Sequence, residues 1–522
     1  MIRPLELVFL PEEAADKTAQ LEQAANSLNV STDRIRLEIR KRSIDARGRK
    51  VKIRLFVDAY VDEEPPSPPD LHKLFPYNNN CNDADSVVIV GFGPAGMFAA
   101  LRLIELGKKP VIIERGKDIR SRRRDLALLN REGIVDPDSN YCFGEGGAGT
   151  YSDGKLYTRS GKRGDIQRIL SIFVRHGADP SILIDAHPHI GTNKLPGIVQ
   201  AIRETILSCG GEVHFNTRMT GLLVTNGKVN GVMTRENVEG AEKEIIADKV
   251  ILATGHSARD IYALLAKQDI SIHSKPFALG VRIEHPQEII DRVQYHCDRR
   301  SPFLPPASYS LTTQSDGRGV YSFCMCPGGI IAPASTSPGE LVVNGWSPSK
   351  RNNLFANSGM VVSVDEKDFE PFKNTGPLSG MKYQEAVERK CFDAGGGRLV
   401  APAQRMIDFI EKKTSSDLPD CSYVPGIRPY DLDGALPTVV TKALRDGLKQ
   451  FGQRMRPYLT NEAVLVATES RTSSPVRIPR DNETKQHPEL TGLFPCGEGA
   501  GYAGGIVSAA MDGERCAEAC AQ

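Results

Sequence analysis

The chain has 522 residues, 40% of them hydrophobic and 25% charged, with 66 Lys+Arg against 65 Asp+Glu. That balance supports two to four domains at ~150 residues each, and it excludes a global field that would draw in nucleic acid or acidic lipid. The eleven cysteines are scattered without a disulfide framework or a CxxC pair, and no run of ~18 apolar residues occurs.

Acids interrupt MIRPLELVFLPEEAADK where a signal peptide needs an apolar core, so the expected compartment is reducing cytoplasm, with no membrane partner. Residues 1–64 read as a small α+β module. LELVFL is a strand, ADKTAQLEQAANSL has helical apolar spacing, and IRLEIRKRSID and RKVKIRLFVDAYV alternate as two further strands. Ten Lys/Arg against only Glu38 and Asp45 lie between Arg34 and Arg54. Alternation sends these charges to the solvated face of a half-buried sheet, and the other reading is RNA or partner binding. DEEPPSPPD and LFPYNNNCND then mark a linker, 65–84.

From Asp85 the pattern becomes strand, glycine turn, helix, strand. VVIV suits a buried parallel strand, and Gly91, Gly93 and Gly96 follow as GxGxxG. The first glycine permits the tight turn, the second lets a pyrophosphate approach the backbone, and the third lets helix and strand pack closely. Pro94 and Ala95 open the helix, whose N-terminus offers amides and a positive dipole end to phosphates. PVIIE ends in Glu114, about 20 residues on, where a ribose hydroxyl is expected. Strand, turn, helix, strand and acid in this order predict a dinucleotide site.

A second stretch closes the unit: helix LPGIVQAIRETILSCG, strand GEVHF, a hairpin over LLVTNGKVNGVMTRE, and strand KVILATG. The predicted nucleotide domain spans 85–275, a substrate or cap domain 276–455, and 456–522 returns to the nucleotide domain. The fold class is therefore α/β: a Rossmann-like dinucleotide-binding domain interrupted by a mixed α+β domain, with the small N-terminal module in front.

Three segments point to FAD. ATG (Thr254, Gly255) resembles the motif that returns the chain to the nucleotide domain in flavoproteins with two dinucleotide folds. LFPCGEGAGYAGGIVSAAMDG resembles the C-terminal flavin motif, with Glu498 after Gly497 where Asp is usual. Gly504, Gly505 and Ile506 would then aim helix amides at the flavin pyrimidine ring.

CFGEGGAGTYSDGKL, AHPHIGTNKLPGIV, CMCPGG, GELVVNGWSPSKRNN and ESRTSSPVRIPRD complete the pattern. With them, nearly the whole chain resembles the bacterial family of FAD-dependent, or NAD(FAD)-utilising, dehydrogenases, distantly related to fumarate-reductase and glutathione-reductase flavoproteins. The resemblance implies FAD and redox activity, and no particular substrate.

On that reading FGEGGAGTYSDGKL runs along the cofactor, bringing Gly146, Gly147 and Thr150 to it, and Lys155 either sits near the ring or is exposed. Arg115, Arg122 and Met219 join the cofactor-binding set. Arg122, Arg123 and Arg124 could meet FAD phosphates or a substrate carboxylate, and a solvated helix face accounts for at least two of the three. The catalytic candidates are Cys326, Lys155 and Arg471.

A regular strand holds Cys324 and Cys326 ~6.6 Å apart, too far for an unstrained disulfide, so a CxC couple requires a bend. Buried, inert cysteines are the expectation; the alternative puts Cys326 at the mouth of the flavin pocket. His187 and His189 flank a proline and are not expected to bind metal, and His256 could bond the cofactor or cap a helix. AGGGRL lacks a preceding strand, so no second Rossmann domain is expected. NAD(P)H could dock transiently as reductant, or a small-molecule substrate reduces the flavin directly.

Overall fold

The computed structural model describes residues 1–77, 80–158, 161, 164–236 and 240–522. The N-terminal module is a three-stranded antiparallel sheet in which Lys52–Val61 lies between Ile2–Phe9 and Ile35–Asp45. Helix Lys17–Leu28, capped by the Asp16 carboxylate, lays Ala24 and Ala25 on the face carrying Leu7, Phe9 and Leu55. Three arginines of the module pair locally: Arg34 with Asp62, Arg40 with Asp58 and Glu38, Arg54 with Glu6 and Asp45. Arg42 instead reaches out of the module to Asp185 at 2.7 Å, and its backbone pairs with Ile184 and Ala186.

The second half of the expected linker is docked rather than free. Asp70 caps one helical turn, Leu71–Leu74, and Phe75, Tyr77 and Cys81 are buried against the nucleotide domain. An aromatic pair in a proline-rich stretch favours burial over solvation. Residues 78–79 of that stretch lie outside the described residues.

The nucleotide domain is built on five parallel strands, in the order Leu493–Pro495, Val250–Leu252, Ser86–Val90, Lys109–Ile113, Glu212–His214. Both faces are covered, so the strands are continuous apolar runs: Val88, Ile89 and Ile112 are fully buried, each contributing roughly 1.5–3 kcal/mol. Helices Pro94–Glu105 and Ile506–Ala521 pack on one face, where a Cβ on Gly513 would lie 2.1 Å from the Ala95 carbonyl oxygen. An antiparallel three-stranded sheet, Thr217–Thr225, Lys228–Glu236 and Glu242–Ile246, adds to the domain; its first turn places Asn226 and Gly227 at φ 50° and 72°, both left-handed.

The second domain is a mainly antiparallel sheet: Thr312–Ser315, Arg318–Pro333, Phe355–Val364, Phe277–Pro286, Val464–Glu469, Ala401–Arg405 and Ile427–Pro429. Helices Ser379–Gly395 and Thr438–Arg454 pack against it. The boundary expected at 455 is therefore corrected. Val464–Glu469 lies between Phe277–Pro286 and Ala401–Arg405, in the centre of this sheet and not in the nucleotide sheet. All six of its residues are buried, and such a run fits the middle of either sheet.

Candidate functional site

The glycine turn is set by two close approaches and one opening. A Cβ on Gly91 (φ 102°) would lie 2.6 Å from the Ala253 carbonyl oxygen, and one on Gly96 would lie 2.0 Å from that of Gly91. Gly93, at an ordinary φ of −82°, has nothing nearer to its missing Cβ than Gly147 Cα at 4.0 Å. The space above Gly93 belongs to a long cleft. Pro94 is the first residue of the helix, whose start has no side-chain cap, and both Pro94 and Ala95 line the cleft. Free amides and a positive dipole end therefore sit where an anion would lie.

Glu114 borders the same cleft and is fixed by three backbone N–H groups, those of Phe92, Gly116 and Gly144, each at 2.9 Å. An ionised carboxylate offers about four acceptor sites, so roughly one is left for a hydroxyl. Beside it Arg115 donates to Asp138 and Asp260 and lies 4.3 Å above the Phe143 ring. It forms wall, as does Met219, and is not a free anion clamp.

Arg122 corrects an expectation. Its guanidinium is fully buried and donates to four carbonyl oxygens, those of Asn140, Tyr141, Glu145 and Gly147, at 2.8–2.9 Å. It meets neither phosphate nor substrate; it braces the loop that carries Gly147 into the cleft, while Arg123 and Arg124 are exposed. Five donors in a rigid fork suit convergent carbonyls that no helix or sheet satisfies. Gly146 and Thr150 are buried in this loop too, Thr150 donating to the Glu145 carbonyl at 2.7 Å, and neither lines the cleft. Arg122→Met is expected to cost on the order of 3–5 kcal/mol and to reduce flavin content, read by denaturant unfolding and by the visible spectrum.

The C-terminal motif forms the opposite wall. The Gly497 amide donates to Asp512 at 2.8 Å, which fixes the turn. A Cβ on Gly504 or Gly505 would meet nothing within 4 Å, and Gly505 and Ile506 line the cleft at the uncapped start of the last helix. Thr254, Gly255 and His256 border it between the two helix starts. His256 Nε2 is 4.0 Å from Glu498, whose carboxyl is pushed up to about 7 by burial, opposed by Lys275 and aided by Cys324.

A folded value above the ordinary 4.5 means that Glu498 stabilises the fold at low pH, and this contribution is lost as pH rises to about 7. Glu498→Gln is expected to flatten that dependence by on the order of 2 kcal/mol, read as thermal stability across this pH window.

The third wall brings the two domains together. Cys324, Asn344, Arg471 and Thr472 of the second domain face Asp153, Lys155 and His256 of the first. Lys155 Nζ bonds Asp153 at 2.9 Å and lies 3.6 Å from Cys324 Sγ and 3.5 Å from Cys326 Sγ. Burial works against its charge but is outweighed by Asp153 and then by the cysteines, so the ammonium is held firmly protonated. Asp153 is 1% exposed and also pairs with Arg351 at 3.0 Å.

Cys326 is fully buried and does not reach the cleft; Cys324 does. The alternation expected of YSFCMCPGG fails because Cys324 takes a left-handed φ of 47° and the strand's register shifts between Phe323 and Cys326. Arg471 reaches the cleft wall, but its guanidinium is committed to Glu388 (2.9 Å twice) and Thr336 (2.9 Å). It thus positions the wall and does not offer itself to a substrate carboxylate.

Sequence reasoning missed Asp153, Arg282 and the cleft-facing role of Cys324. Asp153 stands two residues before Lys155 in SDGK, a local sign that could have been read; Arg282 comes from a distant strand and leaves none. Among the described residues one buried group, Cys496, Asp512 and Cys516, has metal-like spacing, and the Arg480 guanidinium, 2.6 Å from Asp512 and 3.2 Å from Cys516, already supplies its positive charge.

The donor set fits FAD. Two uncapped helix starts, two open glycine surfaces and a fixed carboxylate line one continuous cleft, and Gly93 and Gly505 leave room where side chains would block it.

The model of the FAD-dependent protein C-terminal domain matches residues 276–472. The pyridine nucleotide-disulphide oxidoreductase model matches residues 85–276, and a domain of unknown function matches 1–60. An uncharacterized protein of Clostridium beijerinckii is 40% identical over 508 residues, 94% of this chain and 93% of that protein. Among solved structures, a triple mutant of the flavin-dependent brominase Bmp2 aligns with a TM-score of 0.35 at 13% identity, over 84% of this chain and 80% of that one. A geranylgeranyl bacteriochlorophyll reductase-like protein from Thermoplasma acidophilum aligns with a TM-score of 0.33 at 12% identity, over 83% and 76%.

Proposed function

We propose, for a chain that belongs to the family of FAD-dependent proteins with this C-terminal domain, an oxidoreductase that passes a hydride between its flavin and a small molecule in the cytoplasm. The observation that carries this reading is the shared cleft: cofactor-type walls on the nucleotide side, and Cys324, Asn344 and Thr472 from the second domain closing it. FAD, when bound, supplies the two-electron chemistry.

This chain's residues bind, orient and polarise. The starts of helices Pro94–Glu105 and Ile506–Ala521 favour negative charge, and would hold the phosphates and the ring of FAD respectively. Lys155, held protonated by Asp153, adds a fixed positive charge beside the second domain's wall. His256, pushed down to about 4 by burial and then by Arg471, stays neutral and can accept or donate one hydrogen bond. NADH or NADPH would dock transiently on the open side, since AGGGRL is the end of helix Ser379–Gly395 with its Gly396 cap and the turn after it, and not a strand-borne turn.

Anaerobic mixing of the yellow protein with NADH, NADPH and a panel of small alcohols, amines and thiols tests this. Bleaching by at least one, with colour returning on oxygenation, is expected. Bleaching by dithionite alone would leave the flavin a structural role and overturn the reading.

A further inference from the structure

The cleft's second-domain wall holds a group of side chains that flavin binding does not require. Cys324 lines the cleft, and Cys326 lies buried directly behind it. Both sulfurs sit on one ammonium, Lys155 Nζ, at 3.6 and 3.5 Å, while Asp153 takes its remaining proton at 2.9 Å. An ammonium has three donors, so Lys155 is wholly spent on two sulfurs and one carboxylate. From the other side Arg282 Nη2 lies 3.4 Å from Cys326 Sγ and donates to the Cys324 carbonyl at 2.8 Å, with Glu469 holding the same guanidinium at 2.8 Å. The left-handed Cys324 and the register shift after Phe323 supply the bend that a CxC bridge needs and a regular strand lacks.

The acidity of the pair agrees with this geometry. The hydrogen bond from Cys326, then Lys155 and Arg282, hold the Cys324 thiol well below its ordinary range against the effect of burial. Burial, then the bond to Cys324, pushes the Cys326 thiol up. Cysteines elsewhere whose acidity the surroundings shift, such as Cys81, Cys391 and Cys520, are raised by burial. A low thiolate facing a cleft beside a protonated second thiol is the arrangement of an attacking and a resolving sulfur.

We propose that Cys324 and Cys326 are a redox dithiol, and that the substrate class of this cleft is a small disulfide. The Cys324 thiolate attacks one sulfur of the disulfide RSSR; a Cys324–SR bond forms and RS⁻ leaves. Cys326, giving up its proton to that leaving thiolate, attacks Cys324 Sγ and expels the second RS⁻, which takes a proton from water. The net change is one RSSR reduced to two RSH, and one dithiol oxidised to the Cys324–Cys326 disulfide. Two electrons and two protons restore the dithiol, the electrons from a reduced flavin. Only that last step rests on the function proposed above; the exchange itself does not.

The test uses the protein as purified, reduced, desalted and treated with 2-hydroxyethyl disulfide, followed by alkylation and intact and peptide mass measurement. Cys324 and Cys326 are expected to lose alkylation together, linked in one peptide two hydrogens lighter. Cys326→Ser is expected to trap the mixed disulfide on Cys324, and Cys324→Ser to prevent any adduct at 326. In weakly acidic buffer Cys324 should alkylate at least about tenfold faster in the parent than in Lys155→Met. Two free thiols persisting in the treated wild-type protein, or equal alkylation rates in parent and Lys155→Met, would overturn the proposal whatever the variants do. A yellow protein with an inert pair refutes the dithiol alone; a colourless protein with a working pair refutes the flavin reading alone.

Discussion

Gly93→Val is expected to purify as a folded, colourless protein. Gly93 sits at φ −82°, which any residue adopts, and the nearest atom to an added Cβ is 4.0 Å away. The side chain would enter the cleft and not the core, so stability should stay within about 0.5 kcal/mol of the parent. It would occupy the one place where the backbone opens toward the helix start, and flavin affinity should fall by more than about tenfold, or 1.4 kcal/mol. Gly96→Val supplies the contrast: its Cβ meets the Gly91 carbonyl at 2.0 Å, so that variant loses the fold as well as the colour. Flavin titration followed by fluorescence separates the two. A Gly93→Val protein that binds FAD with unchanged affinity would put the cofactor elsewhere.

Arg282→Met should strongly destabilise the second domain. Arg282 and Glu469 are 0% and 1% exposed and meet at 2.8 Å, and the same guanidinium bonds Asn357 at 2.8 Å. Removing it leaves Glu469 buried without a partner, which costs about 3–5 kcal/mol. The melting transition should then fall on the order of 10 °C. Glu469 is already pushed up to about 7, first by burial, so the lone carboxyl would take up a proton to survive. For that reason the double variant Arg282→Met/Glu469→Gln should recover part of the loss. Equal melting temperatures for the single and double variants would show that the ion pair is not the source of the effect.

The parts legible in the sequence were those whose cause is local. The GFGPAG turn, its proline at the helix start and the acid closing the next strand state their geometry within about 30 residues. The α/β class with its Rossmann-like sheet followed from that, because buried parallel strands read as unbroken apolar runs. What the sequence did not disclose depends on partners far along the chain. AVLVAT names no neighbour, and it joined Phe277–Pro286 and not the nucleotide sheet. RSRRR did not reveal that Arg122 would turn inward to four carbonyls while its neighbours stayed in water. CMC read as a regular strand because a left-handed cysteine has no sequence signature, and Lys155 is 169 residues from the nearer of the two sulfurs it joins.

The nucleotide domain's interrupted order also governs how the protein is born. Helix Pro94–Glu105 buries nine residues, largely against helix Ile506–Ala521, and one of the two edge strands of the sheet is Leu493–Pro495. A ribosome adding about 5–20 residues per second needs roughly 20–80 s to travel from one helix to the other. Throughout that interval the nascent chain carries a half-finished sheet with an open edge and an uncovered apolar helix, and no complete cradle for FAD. The cleft walls at Gly505 and Ile506 are therefore supplied only once the last helix has emerged.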